Sequence, residues 1–251
     1  MTEAGRGQRK PTPDREIIPV AQRLRVHYAK RGRLRFSSHR DFQRALERAI
    51  RRADIPIAYS AGFSPHPRIS YANSAPTGTA SEAEYVEIAV VRECDPEQVR
   101  DALDQALPPG LDVLRVIEAP DRDLGGTLQA SQWRIELPGA EVELVSAAVE
   151  AFLAAPEVEV ERLTKNGVRR FDARGAVATL LASEEAGCAI LGAVIRHETP
   201  SVRPDDLLSA LRNVANLVPP LPPRVTRLAQ GPYDPVTGQV GDPFATAPVR
   251  S

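Results

Sequence analysis

Cysteine and long apolar runs are scarce in this 251-residue chain. Cys94 and Cys188 lie far apart and belong to no Cys-x-x-Cys or Cys/His cluster, so the sequence predicts neither a disulfide framework nor a zinc site. No stretch approaches the roughly 20 apolar residues that span a bilayer. The N-terminal segment lacks the apolar centre of a signal peptide. We therefore expect a cytoplasmic protein without a membrane partner.

Charge is distributed unevenly, although the formal net charge is only −1. The segment from Arg23 to Arg68 has 12 Lys or Arg residues against Asp41, Glu47 and Asp54. The remainder of the chain is acidic. A dense basic segment attracts polyanions, and for a cytosolic protein the commonest large anions are nucleic acids. The alternative is that the arginines only solvate a helix and an edge strand.

Hydrophobic periodicity predicts the same order of elements twice along the chain. In the first half, apolar alternation predicts a strand over 22–36. Ser38 begins a helix in which apolar residues recur at spacings of three and four, and Asp95-Pro96 begins a second helix. The residues predicted to be buried against the first sheet are Phe42, Leu46, Ile50, Val99 and Leu103.

The order strand, helix, strand, strand, helix, strand is that of the ferredoxin-like unit. The predicted fold class is therefore α+β, with tandem ferredoxin-like units (βαββαβ twice), antiparallel sheets and helices on one face. The predicted organisation is a disordered N-terminal tail (1–20), a first ferredoxin-like domain (21–119), a linker (120–130), a second ferredoxin-like domain (131–230) and a disordered C-terminal tail (231–251).

Several closely spaced motifs fall within residues 32–90. They are Arg35-Phe36-x-Ser38-His39, the basic helix Arg44 to Ala49 with Arg51 and Arg52, the loop Tyr59-Ser60-x-Gly62-Phe63-x-Pro65-His66-Pro67, then Ile69-Ser70, Gly78 and Ala83-Glu84-Tyr85. In these residues the chain resembles the bacterial radical-SAM-linked protein family, in a stand-alone form. Ser37 and Arg40 depart from the family pattern, which has leucines there.

The resemblance implies a partner more firmly than a reaction, because in this family the domain is fused to, or encoded beside, a radical-SAM protein. The chain itself lacks the Cys-x-x-x-Cys-x-x-Cys cluster that holds the radical-SAM iron–sulfur centre, and we expect no cofactor. The leading hypothesis is an accessory RNA-binding protein that works with a radical-SAM partner in tRNA or rRNA modification or processing.

Two features of the basic segment from Arg23 to Arg68 predict an anion or RNA site. Two prolines stiffen the loop around His66, beside a ring that could stack on a base. Ser38 begins the arginine helix, whose free N–H groups favour an anion. The candidate binding residues are Arg35, Ser38, His39, Arg44, Arg48, Arg51, Arg52, Phe63, His66 and Arg68.

We predict that His39, His66 and Arg68 line one concave surface with Arg35. The simpler alternatives are structural: Ser38 only caps the helix, His66 caps a turn, and Phe63 fills the core.

Two other classes of function remain open. If His39 and His66 face one cleft, they are candidate catalytic residues as general acid and base. Asp41 is then a candidate nucleophile, and the protein is an RNA-modifying or RNA-cleaving enzyme in its own right. Two histidines are too few to predict a metal site. The third class is a structural subunit whose arginine helix docks on the radical-SAM protein.

Glu82 and Glu84 precede Tyr85 and could form a carboxylate pair. Alternation along the predicted strand places both on one face, and we interpret them as solvated charge.

Overall fold

The structure is a computed structural model that describes residues 18–61, 63–121, 123–165 and 167–245. The predicted N-terminal tail (1–20) therefore lies outside the described residues up to position 17, and the end of the predicted C-terminal tail lies outside them from position 246. None of the helices in the described ranges has the length and apolar character needed to cross a membrane.

The described residues of the first half form four strands, one short 3-10 helix and three α-helices. In chain order they are β1 (Gln22–Lys30), the 3-10 helix (Gly32–Phe36), α1 (His39–Arg52), β2 (Ile69–Ala72), β3 (Ala80–Val90), α2 (Pro96–Ala106), β4 (Leu111–Glu118) and α3 (Leu124–Thr127). The first strand is shorter than the predicted 22–36, because Gly32 adopts a φ of +55° and turns the chain out of the strand.

Within the part of the second half that the structure describes there are two helices and eight strands. They are β5 (Ala130–Leu137), α4 (Val142–Ala154), β6 (Glu159–Thr164), β7 (Gly167–Asp172), β8 (Val177–Glu185), β9 (Cys188–Arg196), α5 (Pro204–Ala215), β10 (Arg224–Gly231), β11 (Tyr233–Asp234) and β12 (Gln239–Val240). Strands β6 and β7 pair only with each other, so this hairpin is inserted between α4 and β8.

The strands of both halves form one eight-stranded sheet in the order β4-β1-β3-β10-β5-β9-β8, with β2 paired to β3. All pairs are antiparallel except β3 with β10. The predicted α+β class with mostly antiparallel strands is confirmed. The finer prediction of two tandem ferredoxin-like sheets is not confirmed, because the β3–β10 pairing makes the sheet continuous.

Each half buries its own hydrophobic core between helices and sheet. The stripe predicted from the sequence is confirmed in the first half, where Phe42, Leu46, Ile50, Val99 and Leu103 are all buried. They pack with the even-numbered residues of β3, such as Val86 and Ile88. The core of the second half includes Trp133, Phe152, Leu207 and Leu211.

The opposite face of β3 is covered by segments from two other parts of the chain. Tyr85 packs with Leu124 and Leu128, which lie in and after α3 within the predicted linker (120–130). Phe244 joins the same cluster and is buried. Residues 231–245, part of the predicted C-terminal tail, thus include the paired strands β11 and β12 and one core side chain.

A buried ion pair connects the two halves where β3 meets β10. Nη1 of Arg227 lies 3.2 Å from Oε1 of Glu84 and donates a second hydrogen bond of 2.6 Å to the carbonyl oxygen of Asn73. Arg227 is 4% exposed and Glu84 is 2% exposed. The interpretation of Glu84 as solvated charge is therefore wrong, since Glu84 is buried and ion-paired. Its partner lies more than a hundred residues away in sequence, so alternation along the strand could not reveal the pair. Glu82 is paired at the surface with Arg31.

We expect Leu46→Ala to destabilise the fold by about 2–5 kcal/mol, because it removes buried methyl groups and leaves a cavity between α1 and the sheet. Leu144→Ala, at an exposed leucine of α4, is the matched control and should cost less than about 0.5 kcal/mol. Urea unfolding measures both changes. Equal losses in the two variants would contradict the assigned core of the first half.

Removing Arg227 from the Arg227–Glu84 pair should be costly, because its hydrogen bonds to the buried Glu84 carboxylate and to the Asn73 carbonyl are lost inside the fold. We expect Arg227→Met to destabilise the fold by about 3–5 kcal/mol. The double variant Arg227→Met/Glu84→Gln should lose clearly less than the two single losses added together. Urea unfolding of all four proteins gives this comparison. Strictly additive losses would show that the two side chains do not stabilise each other.

Candidate nucleic-acid interface

Helix α1 begins at a complete capping box, as its sequence predicts. The Ser38 hydroxyl accepts a hydrogen bond from the backbone N–H of Asp41, and the Asp41 carboxylate accepts from the backbone N–H and the hydroxyl of Ser38. These bonds from Ser38 lower the pKa of Asp41. Asp41 therefore serves as the capping acid of α1, which weakens its interpretation as a nucleophile.

The outer face of α1 presents cations without compensating acids. Arg44, Arg48, Arg51 and Arg52 are all exposed, since the apolar stripe turns the opposite face to the core. None of the four forms an ion pair with another residue in the part of the chain that the structure describes. Arg52 makes one long hydrogen bond, of 3.4 Å, to the carbonyl oxygen of Ala106. These guanidinium groups are thus available to an external anion.

Exposed aromatic rings occur in the same half of the protein. Phe36 is 59% exposed, Phe63 is 63% exposed and Tyr59 is 44% exposed. The guanidinium of Arg35 stacks over the Phe36 ring at 4.8 Å. Phe63 therefore does not fill the core. Exposed rings near arginines are the combination on which unpaired bases stack.

The two candidate histidines have different surroundings. His39 lies in the first turn of α1, where its Nδ1 is 3.2 Å from the Ser74 hydroxyl and its ring meets the edge of Tyr71. His66 is exposed, and its backbone exchanges hydrogen bonds with Ser60. Among contacts between described residues, none links His39 with His66. The hypothesis of one catalytic cleft thus gains no support, and the shared surface with Arg35 and Arg68 stays a prediction.

A cavity of about 510 Å³ lies between the two halves, next to the buried ion pair. Residues from both halves line it, including Asn73, Ser74, Trp133, His197, Arg203 and Arg227. Sequence reasoning missed this site. Its lining residues come from four separate segments, and the sequence offered one signal only, namely that Trp133 is the single tryptophan of the chain.

His197 is held as a neutral ring in the wall of this cavity. Its Nδ1 lies 2.7 Å from the carbonyl oxygen of Leu128, so this nitrogen carries the proton and donates it. The Ser131 hydroxyl donates to Nε2 at 2.8 Å. Burial lowers the pKa of His197. Both ring nitrogens are therefore engaged in hydrogen bonds within the protein, and neither is free to act as a base.

No group of three or more His, Cys, Asp or Glu side chains that could hold a metal ion occurs among the described residues. Both cysteines are unpaired thiols.

The sequence profile of a family described as "Uncharacterized protein conserved in bacteria (DUF2344)" matches residues 23–204. The chain belongs to this family. The DUF2344 match includes the arginine helix and the cavity residues Asn73, Trp133 and His197, whereas Arg227 lies beyond it. The family description names no partner and no reaction.

A search of curated proteins finds no match. Among solved structures, the chain is similar to a crystal structure of an unknown protein from Galdieria sulphuraria, at 16% sequence identity and a TM-score of 0.24. The similarity covers 82% of this chain and 96% of that one. At so low a TM-score it supports no conclusion about fold or function.

The neutral state of His197 predicts part of the acid sensitivity of the fold. Because the folded pKa is lowered, this histidine stabilises the fold above its unfolded pKa of about 6.5, and that stability is lost as the pH falls. His197→Gln keeps a donor and an acceptor but cannot be protonated. We expect its unfolding free energy to fall less than that of the wild type between about pH 7.5 and 5.5.

Urea unfolding at both pH values measures this difference. The matched control is His66→Gln, at an exposed histidine, which should follow the wild type. An unchanged pH dependence in His197→Gln would contradict the assignment.

Proposed function

We propose that this protein is an accessory RNA-binding protein that works with a radical-SAM partner, in tRNA or rRNA modification or processing. The observation that carries the RNA part is the outer face of α1, with its four exposed arginines that pair with no acid of the described chain. The radical-SAM part rests on the resemblance of residues 32–90 to the family named above.

The spacing of the arginines suits contact with a phosphate backbone. Residues three or four apart lie on the same side of a helix, so Arg44, Arg48 and Arg51 form one row. Glu47 is the only acidic residue within that stretch of sequence. Each guanidinium that contacts a phosphate releases counterions, which makes such binding sensitive to salt.

Exposed rings of the first half add a means of holding bases. Stacking on an aromatic ring contributes about 1–3 kcal/mol per base and tolerates any sequence. Phe36 and Phe63 are the most exposed of these rings. Together with the arginines, they favour single-stranded or unpaired RNA as the ligand over a regular duplex.

The arrangement of strands supports two ferredoxin-like units within the continuous sheet. In the first half the order is β4-β1-β3-β2, and in the second it is β10-β5-β9-β8. Counted along the chain within each half, the first and third strands are central in the sheet (β1 and β3, β5 and β9). The second and fourth strands flank them (β2 and β4, β8 and β10), as in a split βαβ unit. This proposal concerns architecture alone, because a fold does not specify a function.

The other candidates have less support. The enzyme hypothesis needs His39, His66 and Asp41 as acid, base and nucleophile, but Asp41 caps α1 and the contacts of the two histidines are separate. Docking of α1 on an acidic face of the radical-SAM partner uses the same arginines as RNA binding. The experiment below separates these two uses.

We expect Arg48→Glu/Arg51→Glu to weaken RNA binding and flatten its salt dependence while the fold stays intact. If both guanidinium groups contact phosphates of a single strand, the slope of log K against log salt should decrease in magnitude by about 1.4. Filter binding of single-stranded RNA across a salt series measures both quantities. Circular dichroism verifies the fold.

Arg169→Glu/Arg170→Glu is the matched control, because it makes the same charge change at exposed positions of the β6–β7 hairpin. The control should bind RNA with nearly the wild-type slope. If the α1 variant folds and keeps the wild-type affinity and slope, the arginine face contacts a protein partner instead of RNA.

A further inference from the structure

We propose that the cavity between the two halves is a binding site for a nucleotide, held by its phosphate. The cavity volume of about 510 Å³ lies in the usual range for small-molecule sites and exceeds what a bare phosphate needs. This proposal does not depend on RNA binding by α1.

Arg227 is the residue that points to an anion. Its side chain is 5% exposed and lines the cavity. Its Nη1 is occupied by Glu84 and the Asn73 carbonyl, but its Nε has no hydrogen-bond partner among the described residues. Buried donors in proteins are nearly always satisfied. Nε itself is inaccessible to solvent, but both described hydrogen bonds of the guanidinium use Nη1, so the group lines the cavity with donors that no described residue satisfies.

The charge around Arg227 is not balanced by the protein. Lys30 lies in the same buried cluster, where its Nζ donates to the carbonyl oxygens of Ala75 and Pro76, both at 3.2 Å. Glu84 is the buried carboxylate of this cluster, so two cations face one anion. Two cations and one carboxylate leave an excess of one positive charge, and burial lowers the pKa of both Arg227 and Lys30 because it disfavours their charged forms. A bound phosphate would offset that excess.

The charged residues at the rim of the cavity also favour an anion. Arg203 lines it at an exposed position just before α5. Glu198 is the acidic member of the lining, and its charge is compensated by Arg196 at 2.8 Å. Two arginines of the second half therefore line the cavity, one from β10 and one from the start of α5, and guanidinium groups suit the oxygens of a phosphate group.

The remaining lining suits the rest of a nucleotide. Trp133 lines the cavity with a side chain that is 5% exposed, and the Arg227 guanidinium lies over its ring, 4.8 Å from the centroid. Asn73 has a positive φ of 42°, a conformation that asparagine tolerates and that places its carbonyl on Arg227. Its side-chain amide nitrogen lies 3.2 Å from Nδ1 of His197, and the hydroxyls of Thr199 and Ser201 in the lining offer hydrogen bonds to a base or sugar.

The nucleotide could come from a free pool or from the end of an RNA. Ser74 lines the cavity and also lies 3.2 Å from Nδ1 of His39, in the first turn of the arginine helix. The start of α1 is therefore adjacent to the cavity. Both sources share the phosphate and base that the lining recognises, so the experiment includes an arm for each.

The single tryptophan of the chain provides the measurement, because Trp133 lines the cavity. The full-length protein is titrated with AMP, GMP, CMP, UMP, the four matching nucleosides and inorganic phosphate. Tryptophan fluorescence reports occupancy, and calorimetry reports binding that leaves the fluorescence unchanged. We expect saturable binding of at least one nucleotide, about tenfold or more tighter than its nucleoside, since the phosphate contacts charged donors.

Variants assign the binding to this cavity. Arg203→Gln, at an exposed position, should fold and weaken nucleotide binding about tenfold. Arg212→Gln, at the other end of α5, is the matched control and should bind as the wild type does. Arg227→Lys keeps the charge but loses the planar fork, and should reduce binding further. If Arg227→Lys fails to fold, Arg203→Gln decides the question.

A 5′-phosphorylated oligoribonucleotide and its unphosphorylated form distinguish the two sources. Tighter binding of the phosphorylated form than of any mononucleotide indicates an RNA end, whereas equal binding of both forms indicates a free nucleotide. The Arg48→Glu/Arg51→Glu variant should bind mononucleotides normally, which separates this proposal from RNA binding by α1. The proposal is overturned if no nucleotide binds saturably, if nucleosides bind as well as nucleotides, or if Arg203→Gln changes nothing.

Discussion

The buried Arg227–Glu84 pair is the contact on which the arrangement of the two halves depends. Strands β3 and β10 pair over a short parallel stretch, Ala80 with Thr226 and Ser81 with Arg227. Backbone pairing of that length does little by itself to fix how the two halves pack together. A buried charge without its partner is costly, so the ion pair penalises any arrangement in which the halves separate or slide. The buried Gln230 adds a hydrogen bond from its side-chain amide to the Ala83 carbonyl.

The same contact shapes the cavity. Because Arg227 also donates to the Asn73 carbonyl, it fixes the segment after β2 that forms one wall. Trp133 on β5, beneath the guanidinium, forms another. The fold and the proposed ligand site thus share one side chain, whose Nη1 binds Glu84 and Asn73 while its Nε is without a partner among the described residues. A ligand that satisfied Arg227 would also hold the two halves together.

The two proposed surfaces differ in their physical character. The outer face of α1 is open, cationic and solvated, which suits a long flexible polyanion and binding that salt can weaken. The cavity is a partly open recess lined by polar and apolar groups from several segments, which suits a small ligand of defined shape. Ser74 connects them, since it contacts His39 of α1 and lines the cavity. An RNA held on the first surface could therefore present one nucleotide to the second.

Features that depend on neighbours three or four positions apart could be predicted from the sequence. The α1 stripe of Phe42, Leu46 and Ile50, its capping box and its outward arginines all follow from spacing along one helix. Tertiary structure decided what depends on distant partners. Glu84 alternates like a solvated strand residue and is buried only because β10 brings Arg227 to it. The cavity arises for the same reason, since no local pattern reveals which strands will become neighbours in a sheet.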